Sequence, residues 1–188
     1  MIEPNTRRRG GGWHFALAAI VMLAIVAADQ ASKSWILGRL GPNGDTNQIK
    51  VIPGFLRFIY VENTGAAFGM FQGKSPILTT LALLVIVFLI IYFRRAIAES
   101  LWLSIALGLQ LGGALGNVID RIRHGFVVDF INVPKWPTFN VSDSSITIGV
   151  IMLGLYLITR DAASNEVEAS GPGSHPAKPM GDVPPAEN

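Results

Sequence analysis

Ile77-Leu78-Thr79-Thr80-Leu81-Ala82-Leu83-Leu84-Val85-Ile86-Val87-Phe88-Leu89-Ile90-Ile91-Tyr92-Phe93-Arg94-Arg95 decides the fold. No charge falls between Ile77 and Phe93, and two arginines close the run. A helix crosses the hydrocarbon core in about 20 mostly apolar residues, so this stretch reads as a transmembrane helix. Three further segments approach that length, at residues 13–37, 101–119 and 141–158. Charged residues make up 15% of the chain, against roughly a quarter in soluble domains, and half of the residues are hydrophobic. The 188 residues have room for one bundle with short connections, not for a second domain of usual size. A net charge of +2, scattered along the chain, offers no basic face for nucleic acid. With no cysteine present, thiol catalysis, thiolate metal sites and disulfides are all removed.

The first span is the least plain, because Asp29 and Lys33 interrupt it. Arg7-Arg8-Arg9, an apolar run and the small residues Val26 and Ala28 match the outline of a cleavable secretory signal. Two features oppose cleavage. The apolar pattern continues through Trp35-Ile36-Leu37, and Asp29 and Lys33 stand four apart, so on a helix they pair and lower the cost of entering the membrane edge. Arginines precede the first span and follow the second (Arg94, Arg95) and the fourth (Arg160), which assigns both termini to the cytoplasm. Arg39, Lys50, Arg57, Lys74, Arg121, Arg123 and Lys135 lie in the outer loops and run against that pattern. The expected fold class is an α-helical integral membrane protein with four transmembrane helices and a small extracytoplasmic β-hairpin or sheet. Its expected parts are a cytoplasmic tail (1–12), a transmembrane domain (13–160) with a β-rich outer loop at about 38–76, and a Pro-, Gly- and Glu-rich cytoplasmic tail (161–188), disordered by composition.

The outer loop contains residues 49–52, a Pro53-Gly54 turn and residues 55–61, which read as a β-hairpin on the membrane surface. Glu62-Asn63-Thr64-Gly65-Ala66-Ala67-Phe68-Gly69 follows, small and polar, suited to close backbone approach by a ligand or simply to a tight loop. In the third span Gly113, Gly116, Asn117 and Asp120 fall along one helical face with Arg121 beside them. Gly108, Gly112 and Gly116 form an adjacent ridge for another helix. Packing explains the glycines, but an intramembrane Asn beside Asp and Arg points to a watered cavity or a functional interior.

Asp129, between Val128 and Phe130, and Asp143, in Phe139-Asn140-Val141-Ser142-Asp143-Ser144, each stand in apolar sequence beside a span. Asp143 falls in the first turn of a helix capped near Asn140, where free N–H groups favour its charge without any catalytic duty. Asp129 sits in a strand-like run where desolvation disfavours its charge. Two unlike carboxyls make an acid and a base, enough to activate water for amide hydrolysis without metal, thiol or serine.

Taken as a set and in this order, five patches resemble the lipoprotein signal peptidases (signal peptidase II), inner-membrane aspartic endopeptidases of bacteria. They are Asp29-Gln30-Ala31-Ser32-Lys33, Glu62 to Phe68, Gly112 to Arg121, Val127-Val128-Asp129-Phe130 and Phe139 to Ser144. The resemblance runs from about Asp29 to about Thr159. Ser142 stands where the family more often has Ala, and the connector 132–138 looks short. The resemblance implies that Asp129 and Asp143 form a catalytic dyad. It also implies that Asn63, Gly113, Asn117, Arg121 and Asn140 surround the substrate, while Asp29, Lys33 and Asp120 support the fold. The implied substrate is a prolipoprotein whose cysteine carries a diacylglyceryl group, cut on the amino side of that cysteine. The implied place is the bacterial inner membrane, with the active site near the periplasmic face and lipids and precursor signal peptides as partners. No cofactor and no metal are expected.

Other readings make different demands on the sequence. A proton-coupled carrier usually shows paired repeats and midplane sites, and no internal repeat is evident. A metallopeptidase wants clustered His ligands, whereas His14, His124 and His175 are dispersed. Neither Asp has the Gly-x-Gly-Asp pattern of another intramembrane peptidase class. A non-enzymatic assembly factor would tolerate Asn at both aspartates.

Overall fold

The computed structural model describes residues 12–65, 70–97 and 100–169, with side chains up to Arg160. Four helices are long and apolar enough to cross a membrane: α1 (Gly12–Leu40), α2 (Ser75–Ile97), α3 (Leu101–His124) and α4 (Val141–Ala169). Local chemistry fixes their ends. Ser75-Pro76 opens α2, with Pro in the first turn where its missing N–H costs nothing. The hydroxyl of Ser100 caps α3 by accepting from Leu103 N at 3.3 Å. Gly125, at φ 82, ends it in the left-handed conformation and returns its N–H to Arg121 O. At the start of α4, Asn140 and Asp143 cap each other: Asp143 N donates to Asn140 Oδ1 at 2.9 Å and Asn140 N donates to Asp143 Oδ2 at 3.2 Å.

Between α1 and α2 the expected hairpin forms as β1 (Ile49–Ile52) and β2 (Leu56–Asn63), turning through Gly54 at φ 77. The loop that follows is described only to Gly65 and again from Met70. A third strand, β3 (Val127–Asn132), pairs antiparallel with β2 and makes the sheet order β1-β2-β3. The register sets Val61 opposite Asp129 and Asn63 opposite Val127. α4 continues past the boundary expected at Arg160 as far as Ala169, through a segment of good helix formers (Ala162, Ala163, Glu166, Glu168). The rest of the expected tail, 170–188, and residues 1–11 lie outside the described residues.

α3 is the central helix: 61% of its apolar window is buried, against 17% or less in the other three. Its glycines allow the close approach. A Cβ on Gly108 would meet Ala18 O at 2.8 Å and one on Gly112 would meet Met22 O at 2.8 Å, both on α1. One on Gly113 would meet Ser145 Oγ of α4 at 2.5 Å. Lipid tails are as apolar as leucine, so such contacts rest on packing rather than on a hydrophobic driving force. One core cluster joins α2 and α3 through Ile86, Leu89, Phe93, Leu103, Leu107 and Leu111. A second packs the end of α1 (Ile36, Leu40) against Val128 and Phe130 of β3 and so seats the sheet on one end of the bundle. Large apolar residues such as Leu23, Leu84, Ile91 and Ile158 stay exposed on the outer faces, as lipid contact requires.

Candidate active site

The alternation of β3 places Asp129. Val128 and Phe130 are drawn into the core at the end of α1, so the carboxyl between them turns to the other face of the strand. Asp143 comes to the same place from the first turn of α4. Amide donors hold all four carboxylate oxygens. Asn63 Nδ2 donates to Asp129 Oδ2 at 2.9 Å and Asn140 Nδ2 donates to Asp129 Oδ1 at 2.7 Å. Asn117 Nδ2 donates to Asp143 Oδ1 at 2.9 Å, and the Asn140 backbone N–H serves Asp143 Oδ2. Asn140, fully buried, therefore touches both acids.

Behind this pair lies a buried ion cluster. Lys33 Nζ is 2.8 Å from Asp29 Oδ2 and 3.0 Å from Asp120 Oδ2. Asp29 accepts from Ser142 N at 3.0 Å, which ties α1 to the start of α4. Asp120 accepts from Val128 N at 3.0 Å and from Gln30 Nε2 at 2.8 Å, which ties α3 to β3 and α1. Breaking such a buried pair from one side leaves an uncompensated charge and costs about 3–5 kcal/mol. Secretory cleavage after Ala28 would cut α1 immediately before Asp29, in the helix that carries this cluster.

Both acids line a cavity of about 290 Å³ together with Asn63, Gly65, Asn117 and Arg121. Arg121 Nη2 donates to Gly65 O at 3.2 Å, while its buried Nε has no partner among the described residues. Burial, helped by the nearby Asp143 charge, pushes the Asp129 carboxyl up to about 6, against the pull of the Asn63 and Asn140 hydrogen bonds. A second hollow, about 320 Å³ and mostly apolar, runs between α2, α3 and α4 past Leu78, Val85 and Leu89 and also reaches Asn117 and Arg121. Among the described residues no group of three His, Asp or Glu is arranged to hold a metal ion.

The residues singled out in the sequence thus meet at one place, with two differences of position. Gly113 does not line the cavity but packs against Ser145 of α4, and Asn140 stands behind the acids rather than on the open surface. The cavity also has walls that sequence reasoning missed: Trp136, Pro137, Thr138 and Phe139 from the connector, and Ile146 and Thr147 from α4. Thr147 lies one helical turn beyond Asp143, and that spacing was the available signal. The connector left none, because its place depends on Phe139 pairing back to Ile131.

Comparison with known proteins gives a consistent answer. A family model described as signal peptidase (SPase) II matches residues 21–159, a span that holds every member of the site and of the ion cluster. A lipoprotein signal peptidase of Syntrophomonas wolfei is 44% identical over 147 residues, covering 78% of this chain and 95% of that protein. One of Moorella thermoacetica is 41% identical over 139 residues, covering 74% and 89%. A solved bacterial membrane enzyme, determined in meso at 2.3 Å, superposes with a TM-score of 0.67 at 30% identity over 87% of this chain and 95% of that one. With four spans, paired aspartates at one end of the bundle and matches of this extent, the chain belongs to the signal peptidase II family of aspartic peptidases.

Proposed function

We propose that this enzyme removes signal peptides from diacylglyceryl-modified prolipoproteins, using Asp129 and Asp143 as its paired acids. One observation carries the reading. Two carboxyls delivered by separate elements, with every oxygen held by an amide donor, share a cavity that abuts an apolar hollow between helices. Paired carboxyls in a site of low dielectric share one proton. The ionised member takes a proton from water as the water oxygen attacks the scissile carbonyl carbon. The protonated member donates a hydrogen bond to the carbonyl oxygen and then gives its proton to the leaving nitrogen as the C–N bond breaks. The route draws only on water and the two carboxyls. A value of about 6 for Asp129 lets that group exchange a proton near neutral pH.

The apolar hollow suits acyl chains or the hydrophobic part of a signal peptide, and it reaches Asn117 and Arg121. Arg121, with a free Nε donor among the described residues, then binds a backbone carbonyl or an ester oxygen of the substrate. The scissile bond is the one on the amino side of the lipid-bearing cysteine. Asp29, Lys33 and Asp120 hold α1, α3, β3 and α4 in register behind the acids. Arg94 and Arg95 close α2 and Arg160 lies far along α4, which under the positive-inside rule supports the reading of both termini as cytoplasmic. The dyad then stands near the periplasmic face of the inner membrane.

The test is direct. The purified chain in proteoliposomes is offered one precursor in two forms, with and without the diacylglyceryl group, and products are weighed by mass spectrometry. Release of the intact signal peptide from the lipidated form alone is expected. Equal cleavage of both forms would overturn the substrate assignment.

A further inference from the structure

Lys33 makes one contact that ion pairing does not explain. Its ammonium has three donors. Two meet Asp29 and Asp120, and the third is given to a neutral amide, Asn117 Oδ1, at 3.0 Å. The two carboxylates are anchored without this third bond, Asp29 by Ser142 N and Asp120 by Gln30 and Val128 N. What the third bond does fix is the direction of an amide. Asn117 Oδ1 accepts from Lys33 and, at 3.3 Å, from Asn140 Nδ2, which leaves Nδ2 turned toward Asp143 Oδ1.

A terminal amide has two nearly equivalent orientations related by a half-turn. With the cation in place only one is possible, since the other would face NH2 against an ammonium and oxygen against the Asp143 carboxyl. Without it the reversed orientation becomes accessible, and Asp143 then loses its Nδ2 donor. The ordering passes further: Asn140 Nδ2 bridges Asn117 Oδ1 and Asp129 Oδ1, so its own oxygen is left for the Asp143 N–H.

We infer that Lys33 is a positioning residue, a buried cation of α1 that locks the Asn117 amide, and through it the Asn140 amide, so that both aspartates always face N–H donors. This rests on the reading of Asp129 and Asp143 as the reacting pair. Lys33 touches neither acid by hydrogen bond or ion pair among the described residues and acts only through the amides.

A double-mutant cycle tests it. kcat and KM for a lipidated precursor are measured for the wild type, Lys33→Met, Asn117→Ala and the double variant, each restricted to protein that elutes monodisperse from detergent extracts. Lys33→Met is expected to lower kcat by about 10- to 100-fold, the worth of one hydrogen bond to a charged group, with KM changed by less than about twofold. In the Asn117→Ala background the same substitution should change kcat by less than about threefold, because the amide it acts on is gone. Losses that multiply, or an unchanged kcat in folded Lys33→Met, would overturn the inference. If Lys33→Met does not accumulate, the cycle is run with Asp29→Asn and Lys33→Met together, which removes an anion along with the cation. Asp143→Asn is included as a control. If it still cleaves, the dyad reading fails; if it is inactive while the losses in the cycle multiply, only the role given to Lys33 fails.

Discussion

Replacing Asp129 with Asn is expected to stop cleavage and, at neutral pH, to make the protein more stable. In the folded chain burial and Asp143 raise the Asp129 carboxyl from 3.8 to about 6. An acid raised on folding binds more protons in the folded state, so its favourable contribution is complete below the unfolded value and is lost as pH climbs through the folded one. That loss amounts to roughly 3 kcal/mol at pH 7.5, at about 1.4 kcal/mol per pH unit. Asn carries no charge and escapes it. It also brings an NH2 group where the carboxylate accepted from both Asn63 and Asn140, which forfeits about 1–2 kcal/mol. The balance is a gain on the order of 1–2 kcal/mol at pH 7.5 and a loss of similar size at pH 4, where the native acid is already protonated. Thermal unfolding in detergent reads this as a difference that changes sign with pH, at about 2–4 °C per kcal/mol for a chain of this length. A difference between variant and wild type that is the same at both pH values would refute the reasoning.

Other perturbations follow from the same geometry. Asn63→Ala removes a donor that holds the Asp129 carboxyl down, so the limb of the kcat/KM profile that Asp129 governs should move to higher pH; a profile with neither limb moved contradicts the assignment. Gly116→Ala would push a Cβ against Ser142 Oγ and to 2.6 Å from Asp29 Oδ2, an overpacking cost of about 1–3 kcal/mol seen as a lowered melting temperature. Ser142 Oγ is buried without a partner among the described residues, so Ser142→Ala should be neutral or stabilising by about 1 kcal/mol and should partly restore the Gly116→Ala variant. Arg121→Lys gives up the planar fork that reaches Gly65 O; KM should rise by about tenfold with kcat little changed, as steady-state kinetics will show.

How much of this was legible depends on how local the signal was. The run from Ile77 to Phe93 declares a span by length and lack of charge alone, and α2 contains it whole. The Asp29–Lys33 pairing follows from helical spacing and is present at 2.8 Å. Its third member, Asp120, is far away in sequence, and only the packing of α1 on α3 brings it to 3.0 Å from Lys33. The hairpin was announced by its Pro-Gly turn, whereas nothing local says that the Asp129 run pairs with β2 rather than standing alone. That register, Val61 opposite Asp129, is a tertiary fact. Spacing alone gave the glycines of α3 a packing role, which Gly113 fills against α4; its place near the substrate was implied only by the family resemblance. The Lys33–Asn117 bond, between helices and across the ion cluster, had no trace in the sequence at all.

The most direct measurement is single-turnover cleavage of a lipidated precursor by Asp129→Asn and by Asp143→Asn, each shown to insert in the membrane and to unfold cooperatively. The account predicts no released signal peptide from either variant. Release at anything near the native rate by one of them would contradict the sharing of a proton between the two acids and the mechanism built on it.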